Sequence, residues 1–283
     1  MTKRASQKWK AFRTFKRNRI AVIGAILSFM VAVVAIFAVQ IAPRDPLSQN
    51  LFYRLTGPEV EFPFGTDFMG RDVFSRVIIG ARMSLMVGAL AVLVGMIFGT
   101  LLGMLAAYMR GGVESLVMRI IDVWMSFPDE VLGILAAVML GAGVVNLIII
   151  LGALLVPRFS RLAYNYSLII REGEFVVAAR AVGASSTRVI LRHIFPNIRG
   201  DIITMGALWL GTAIRLEANL SFLGVGVPPP TPTWGNMIRE GMSRIAEAPW
   251  ISLFPGIALV ITVLAFNLLA DGLRDISDPR LRN

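Results

Sequence analysis

The sequence contains no cysteine and one histidine, His193, in 283 residues. Without thiols there is no disulfide, no thiolate zinc or iron–sulfur site and no cysteine nucleophile, and a lone imidazole builds neither a metal site nor a proton relay. Charge is also scarce. Asp, Glu, Lys and Arg make up 16% of the chain, against about 25% in an average soluble protein. Apolar residues reach 56%, so the excess of 28 Lys+Arg over 18 Asp+Glu does not describe a disordered chain or a basic nucleic-acid-binding domain. No Gly-x-x-x-x-Gly-Lys-Ser/Thr phosphate loop occurs, and no Ser, Asp or Glu stands in a catalytic constellation, so no catalytic residue and no metal ligand is assigned.

What is present is a set of long runs free of charge: Ile20 to Ala42, Met83 to Met109, Val131 to Pro157 and Ala248 to Ala270. A bilayer core needs about 20 apolar residues of helix, so each run is a candidate span. The first follows a basic stretch, as a signal peptide would, but is too long for one and lacks a convincing cleavage site. Two further segments are interrupted: Ser115 to Glu130 by Arg119, Asp122, Asp129 and Glu130, and Ile202 to Leu223 by Arg215 and Glu217.

Hydropathy alone leaves Val131 to Pro157 as one span or parts of two, and the positive-inside rule arbitrates. Residues 1–19 hold eight Lys and Arg without an acid, and Arg158 to Arg199 is again rich in Arg, so both belong on the cytoplasmic side. An even number of crossings must separate them. A turn at Gly141-Ala142-Gly143 supplies it, with one helix from about Ser115 to Leu140 and another from about Val144 to Asn165. The expectation is an all-α integral membrane protein with six transmembrane helices and both termini cytoplasmic. Its parts are a basic N-terminus (1–19), a first span (20–42), an outer loop (43–82), a five-helix core (83–272) and a tail (273–283). The core includes a cytoplasmic loop at 166–200 and a second outer loop at 224–248.

Few polar groups interrupt the spans. Asp122, Arg215, Glu217 and Asn267 either anchor helices to one another or line a path across the membrane. The stretch Glu174 to Asn197 reads as two short helices: Ala178 and Ala179 recur one turn later as Val182 and Gly183, so small residues share a face. Gly183 ends the first helix, Ser185 or Ser186 caps the second, and Pro196 precedes the next span. On physical grounds this projection docks on a partner's backbone or lies against anionic lipid.

Ala178-Ala179, Gly183 and Phe195-Pro196 at these spacings resemble the cytoplasmic "EAA" loop of permease subunits of ATP-binding-cassette importers. Val177 stands where that loop has its Glu, and His193 where Ile is usual. Gly65-Thr66-Asp67-Phe68-Met69-Gly70-Arg71-Asp72, Glu217-Ala218-Asn219-Leu220-Ser221-Phe222-Leu223-Gly224, Pro230-Thr231-Pro232-Thr233-Trp234 and Asp278-Pro279-Arg280 are similar to segments of the dipeptide, oligopeptide and nickel permeases. The single span ahead of the Gly-Thr-Asp loop is similar to their C-type subunit.

The resemblance implies the type I importer permease fold in the bacterial inner membrane. It implies a B-type permease partner, two ATPase subunits that use ATP and Mg, a periplasmic or lipid-anchored binding protein, and surrounding lipid; this chain would bind no cofactor and no nucleic acid. Ala178, Ala179, Arg180, Val182, Gly183, Ala184, Ser185, Arg188, Arg192 and Pro196 would form the ATPase-coupling loop. Gly65, Thr66, Asp67, Gly70, Arg71, Asp72, Pro230 and Trp234 would face the binding protein at the entrance. Peptides are the expected cargo, with nickel chelates, glutathione and oligosaccharides as alternatives within the family. An ATP-independent channel or secondary transporter is the alternative outside it, although no inverted repeat with broken, charged helices is visible.

Overall fold

The computed structural model describes residues 18–277. The basic stretch of residues 1–17 and the tail motif Asp278-Pro279-Arg280 lie outside them.

Helix α1 (Arg19–Ile36) opens at Asn18, whose side chain accepts from the amides of Ile20 (3.1 Å) and Ala21 (3.2 Å). After Phe37 the chain makes one further helical turn, Ala38–Ile41. Helix α2 (Val73–Met109) begins well before the expected Met83, because the Asp72 carboxylate caps it by accepting from Ser75 N (2.9 Å) and Ser75 Oγ (2.5 Å). Replacing Asp72 with Ala should destabilise the protein by about 1 kcal/mol, read as a lowered thermal midpoint in detergent.

Helices α3 (Gly112–Met125) and α4 (Asp129–Leu140) replace the expected continuous helix from Ser115 to Leu140, and they meet at 94°. Pro128 causes the break. It has no amide hydrogen to donate, and its ring pushes Phe127 out of helical conformation. Asp129 and Glu130 then occupy the first turn of α4, where the helix dipole favours acids. The chain turns at Gly141 (φ 81°) into α5 (Val144–Arg171), which runs past the expected end at Asn165. Arg158 and Arg161, counted from sequence with the cytoplasmic charges, lie inside this helix, as its expected span to Asn165 already required.

Short helices α6 (Glu174–Ala181) and α7 (Ser186–Val189) follow, then a π-helical turn (Ile190–Ile194) and α8 (Phe195–Phe222). Helix α9 (Trp234–Met242) and α10 (Trp250–Ser277) complete the order. By length and composition α1, α2, α5 and α10 are apolar enough to cross a membrane, and the bent pair α3–α4 is a fifth candidate. Helix α8, the remaining expected span, carries Arg199, Asp201, Arg215 and Glu217.

The centre of the fold is the contact of α2 with α5. Ala91, Gly95, Gly99, Gly103 and Ala107 recur at every fourth position of α2, and all are buried. A Cβ on Gly95 would lie 2.6 Å from Leu155 Cβ, one on Gly99 2.6 Å from Val156 O, and one on Gly103 2.2 Å from Ser160 O. The two backbones thus touch along several turns, a close approach that only small residues permit. Ser160 Oγ adds a hydrogen bond to Gly99 O at 3.0 Å. Leu155, Phe159 and Met104 continue this seam into Ile194, Ile198 and Ile202, which packs the start of α8 against it. On the far side α1 lies against α10 at Gly24, where a Cβ would come within 2.4 Å of Leu269 N.

Candidate functional site

Helix α6 ends as its sequence requires. Gly183 adopts φ 82°, its amide donates to Arg180 O (2.9 Å), and the Ala184 amide donates to Ala179 O (3.0 Å). These two bonds are a Schellman closure, and the positive φ is why glycine stands there. Ser185 caps α7 by accepting from Arg188 N at 3.4 Å. Pro196 does not precede the next helix, as expected, but sits in the first turn of α8 within an unbroken rod from Ser186. The π-helical turn explains this: the Phe195 amide reaches back to Ile190 O, so the hydrogen-bond ladder is already shifted where proline lacks a donor.

This unit is pinned to the core by Val176, Val189, Ile190 and Ile194. Its other face is open. Phe175, Val177, Leu191 and Val182, the last 85% exposed, are at the surface, and a Cβ on Gly183 would meet nothing within 4 Å. Ala178 is exposed on the same helix, Ala179 is half-buried, and Arg188 and Arg192 flank them in solvent. The Arg180 guanidinium lies over the Tyr108 ring at 4.9 Å. An apolar face of small residues rimmed by arginines is left without a partner among the described residues.

On the opposite side, the residues expected at an entrance are mostly sealed. Asp67 is 1% exposed and accepts from Met69 N (2.8 Å), Arg71 N (3.0 Å) and Arg71 Nε (2.5 Å). Arg71 and Arg76 both donate to Glu240 Oε2, at 3.1 and 3.0 Å, and Arg76 Nε lies 3.6 Å from Asp67 Oδ2. Two acids and two arginines thereby tie the loop before α2 to α9. Gly65 and Gly70 make the loop possible at φ 70° each; a Cβ on Gly70 would fall 1.8 Å from Asn50 O. Trp250 Nε1 donates to Thr66 O (3.0 Å), and Trp234 Nε1 to Val77 O (3.1 Å).

Thr66, Asp67, Arg71, Asp72 and Trp234 are therefore buried fasteners. Their side chains offer no contact surface to a docked protein, whereas Pro230 is exposed. Sequence reasoning missed Arg76 and Glu240, because each makes sense only through a partner far away in the chain.

The polar residues of the spans divide. Glu217 is fully buried: Oε1 accepts from Ser221 Oγ (2.7 Å), and the hydroxyls of Ser84 and Thr233 stand beside the carboxylate, so it joins α8 to α2 and to the cap of α9. Arg215, on the opposite face of α8, is exposed and pairs with Glu130 at 3.2 Å. Asp122 pairs with Arg161, and Asp129 with Arg158. Asn267 is exposed, and its Oδ1 faces Gly211, where a Cβ would approach to 3.0 Å.

The helices that carry this docking face and these pairs lie almost wholly in residues 99–283, which match the family described as "Binding-protein-dependent transport system inner membrane component". The chain belongs to that family. Residues 6–58 of this permease match the N-terminal transmembrane domain of oligopeptide transport permease C, which makes it a C-type subunit of an ATP-binding-cassette importer. The dipeptide transport system permease protein of Alkalihalophilus pseudofirmus is 41% identical to the permease over 276 residues, 97% of this chain and 91% of its own. The glutathione transport system permease protein of Escherichia coli O6:K15:H31 is 43% identical over the same shares. The permease is a multi-pass membrane protein, and the family places such chains in the bacterial inner membrane.

Proposed function

We infer that this permease carries di- and oligopeptides inward as half of a two-subunit path. The reading combines the cargo in its relatives' names, a dipeptide and glutathione, itself a small peptide, with the arrangement of the chain. Helix α8 is the fifth of six crossings, and both termini lie in the cytoplasm with the α6–α7 unit. A B-type permease completes the path, a binding protein delivers peptide on the outer side, and two ATPase subunits, which hold ATP and Mg, dock beneath. The outer knot around Asp67 scaffolds the entrance rather than touching the binding protein.

The unpartnered face of α6 carries this reading. A coupling element must be stiff, must project, and must offer close backbone approach, and the Schellman closure at Gly183 supplies all three. ATP-driven closure of the ATPases then moves α6 and α7, and with them α8.

The test is purification of tagged permease from native membranes in mild detergent. Two ATPases and a second permease should accompany the wild type. Gly183→Arg should abolish ATPase recovery while the chain stays membrane-inserted, because space for a side chain exists in the permease and not beneath a docked partner. Gly183→Asn, which tolerates positive φ, should retain more ATPase than Gly183→Arg. Permease recovered alone, yet moving dipeptide in liposomes without ATP, would transfer the assignment to a secondary transporter.

A further inference from the structure

Three ion pairs bridge the helices that meet at the 94° break: Asp122 of α3 with Arg161 of α5, Asp129 of α4 with Arg158 of α5, and Glu130 of α4 with Arg215 of α8. Unlike Asp67, Arg71 and Arg76, which are at most 4% exposed, all six side chains keep access to solvent, from 21% for Asp129 to 53% for Asp122. Arg158 follows directly on the charge-free residues 144–157 of α5, a helix long and apolar enough to cross a membrane. Charged side chains are costly against lipid, so a face bearing six of them does not face hydrocarbon. It faces water or another protein.

The apolar ground beside the pairs is also shaped. A hollow of about 450 Å³ fills the inner angle of the break, lined among others by Trp124, Phe127, Leu135, Ile150 and Leu154. Ile150, Leu154, Arg158 and Arg161 follow one another at spacings of four, four and three, which is one stripe of α5. The hollow is lined by apolar residues alone, and Arg158 and Arg161 continue its α5 wall beyond Leu154. Among the described residues this is where the permease sets accessible paired charges of both signs beside an open apolar recess.

We propose that these pairs are a ladder along the aqueous path that meets the charged ends of a passing peptide. The peptide ammonium pairs with Asp122, Asp129 or Glu130, its carboxylate pairs with Arg161, Arg158 or Arg215, and a side chain enters the hollow. Each rung is neutral as a pair, so the path holds no net charge that would trap a cargo ion. A zwitterion exchanges one set of ion pairs for another, and such an exchange is weak enough to let it leave. This rests on the peptide reading above and adds the residues that meet the cargo.

The absence of cysteine provides the test, since an engineered thiol is the only one in this chain. Ser126→Cys, at the break, and Arg158→Cys are placed in the complete importer in nanodiscs. They are treated with sulfonate- and trimethylammonium-bearing methanethiosulfonates during ATP turnover, and modification of this chain is read by mass. Both thiols should react about tenfold faster than Phe29→Cys, on the exposed apolar face of α1, as expected for water against hydrocarbon. Dialanine should slow them.

A second measurement compares uptake of Ala-Glu with Ala-Lys in proteoliposomes. Asp129→Asn leaves Arg158 unpaired and should raise the Ala-Glu to Ala-Lys ratio several-fold, while the binding protein's own preference cancels. Thiols that stay unmodified in an importer that moves dialanine would mean that the pairs are sealed against the partner permease, and would overturn the ladder. So would reaction indifferent to dialanine, or an unchanged uptake ratio. An unsubstituted importer that moves no dipeptide would instead refute the peptide reading, and the ladder with it, and the cysteine-free control alone reports that result.

Discussion

Leucine in place of Gly103 should leave almost no folded permease in the membrane. The Cβ alone would stand 2.2 Å from Ser160 O and 2.9 Å from Tyr164 N, both backbone atoms, so no side-chain rearrangement relieves the clash. Helices α2 and α5 would have to separate. The seam from Gly95 to Gly103 would open, and with it the Ser160–Gly99 hydrogen bond and the packing of Leu155 and Phe159. Overpacking a core by ordinary amounts costs about 1–3 kcal/mol, and a collision with backbone at a helix crossing exceeds that range. Gly112→Leu is the control: a Cβ there meets nothing within 4 Å. Its steady-state level in membranes should stay near that of the wild type, while Gly103→Leu is degraded.

Alanine at Asp67 should be the next most damaging single change. It leaves Arg71 and Arg76 with only Glu240 between them, and removing one partner of a buried ionic group costs about 3–5 kcal/mol because the remaining charge stays desolvated. The thermal midpoint in detergent should fall sharply, and uptake should weaken because the loop before α2 loses its carboxylate tie to Arg71 and Arg76, while the Arg76–Glu240 pair still links α2 to α9. Glu61→Ala breaks the exposed pair with Arg44 (3.2 Å) and should change stability by less than about 1 kcal/mol. Full stability of the Asp67→Ala protein would show that the quartet is not what fastens the outer loop.

What the sequence revealed, and what it hid, follows from the range of the interactions. Helices α1 and α10 were legible because lipid-facing apolar runs need no partner to declare themselves. The end of α6 was legible because Gly183 and Ser185 act within a few residues of their own positions. The early start of α2 was hidden by Arg76 and Arg82, which lie inside the helix, the charge of Arg76 being answered by Asp67 and by Glu240 from another helix.

Arg158 and Arg161 were counted with the cytoplasmic charges, although the expected helix ran to Asn165, because their partners Asp129 and Asp122 lie on other helices. The break at Pro128 was visible in the residues, but span counting weighs length and polarity and does not register a bend. Arg215 and Glu217 had the same two readings from sequence. Two residues apart on a helix point nearly opposite ways, and that geometry separates one open ion pair from one sealed carboxylate.

The unbroken rod from Ser186 to Phe222 has a mechanical consequence. At 1.5 Å per residue it is about 55 Å long, so a tilt of about 5° around its middle displaces its two ends by roughly 2 Å in opposite directions. The π-helical joint does not act as a soft hinge, because Ile190 and Ile194 wedge it into the core. One end carries the exposed surface of α6 and α7, and the other, through Glu217 and Ser221, bears on the cap of α9. The chain thus contains a lever whose short push at one end of the rod is delivered, reversed in direction, at the other.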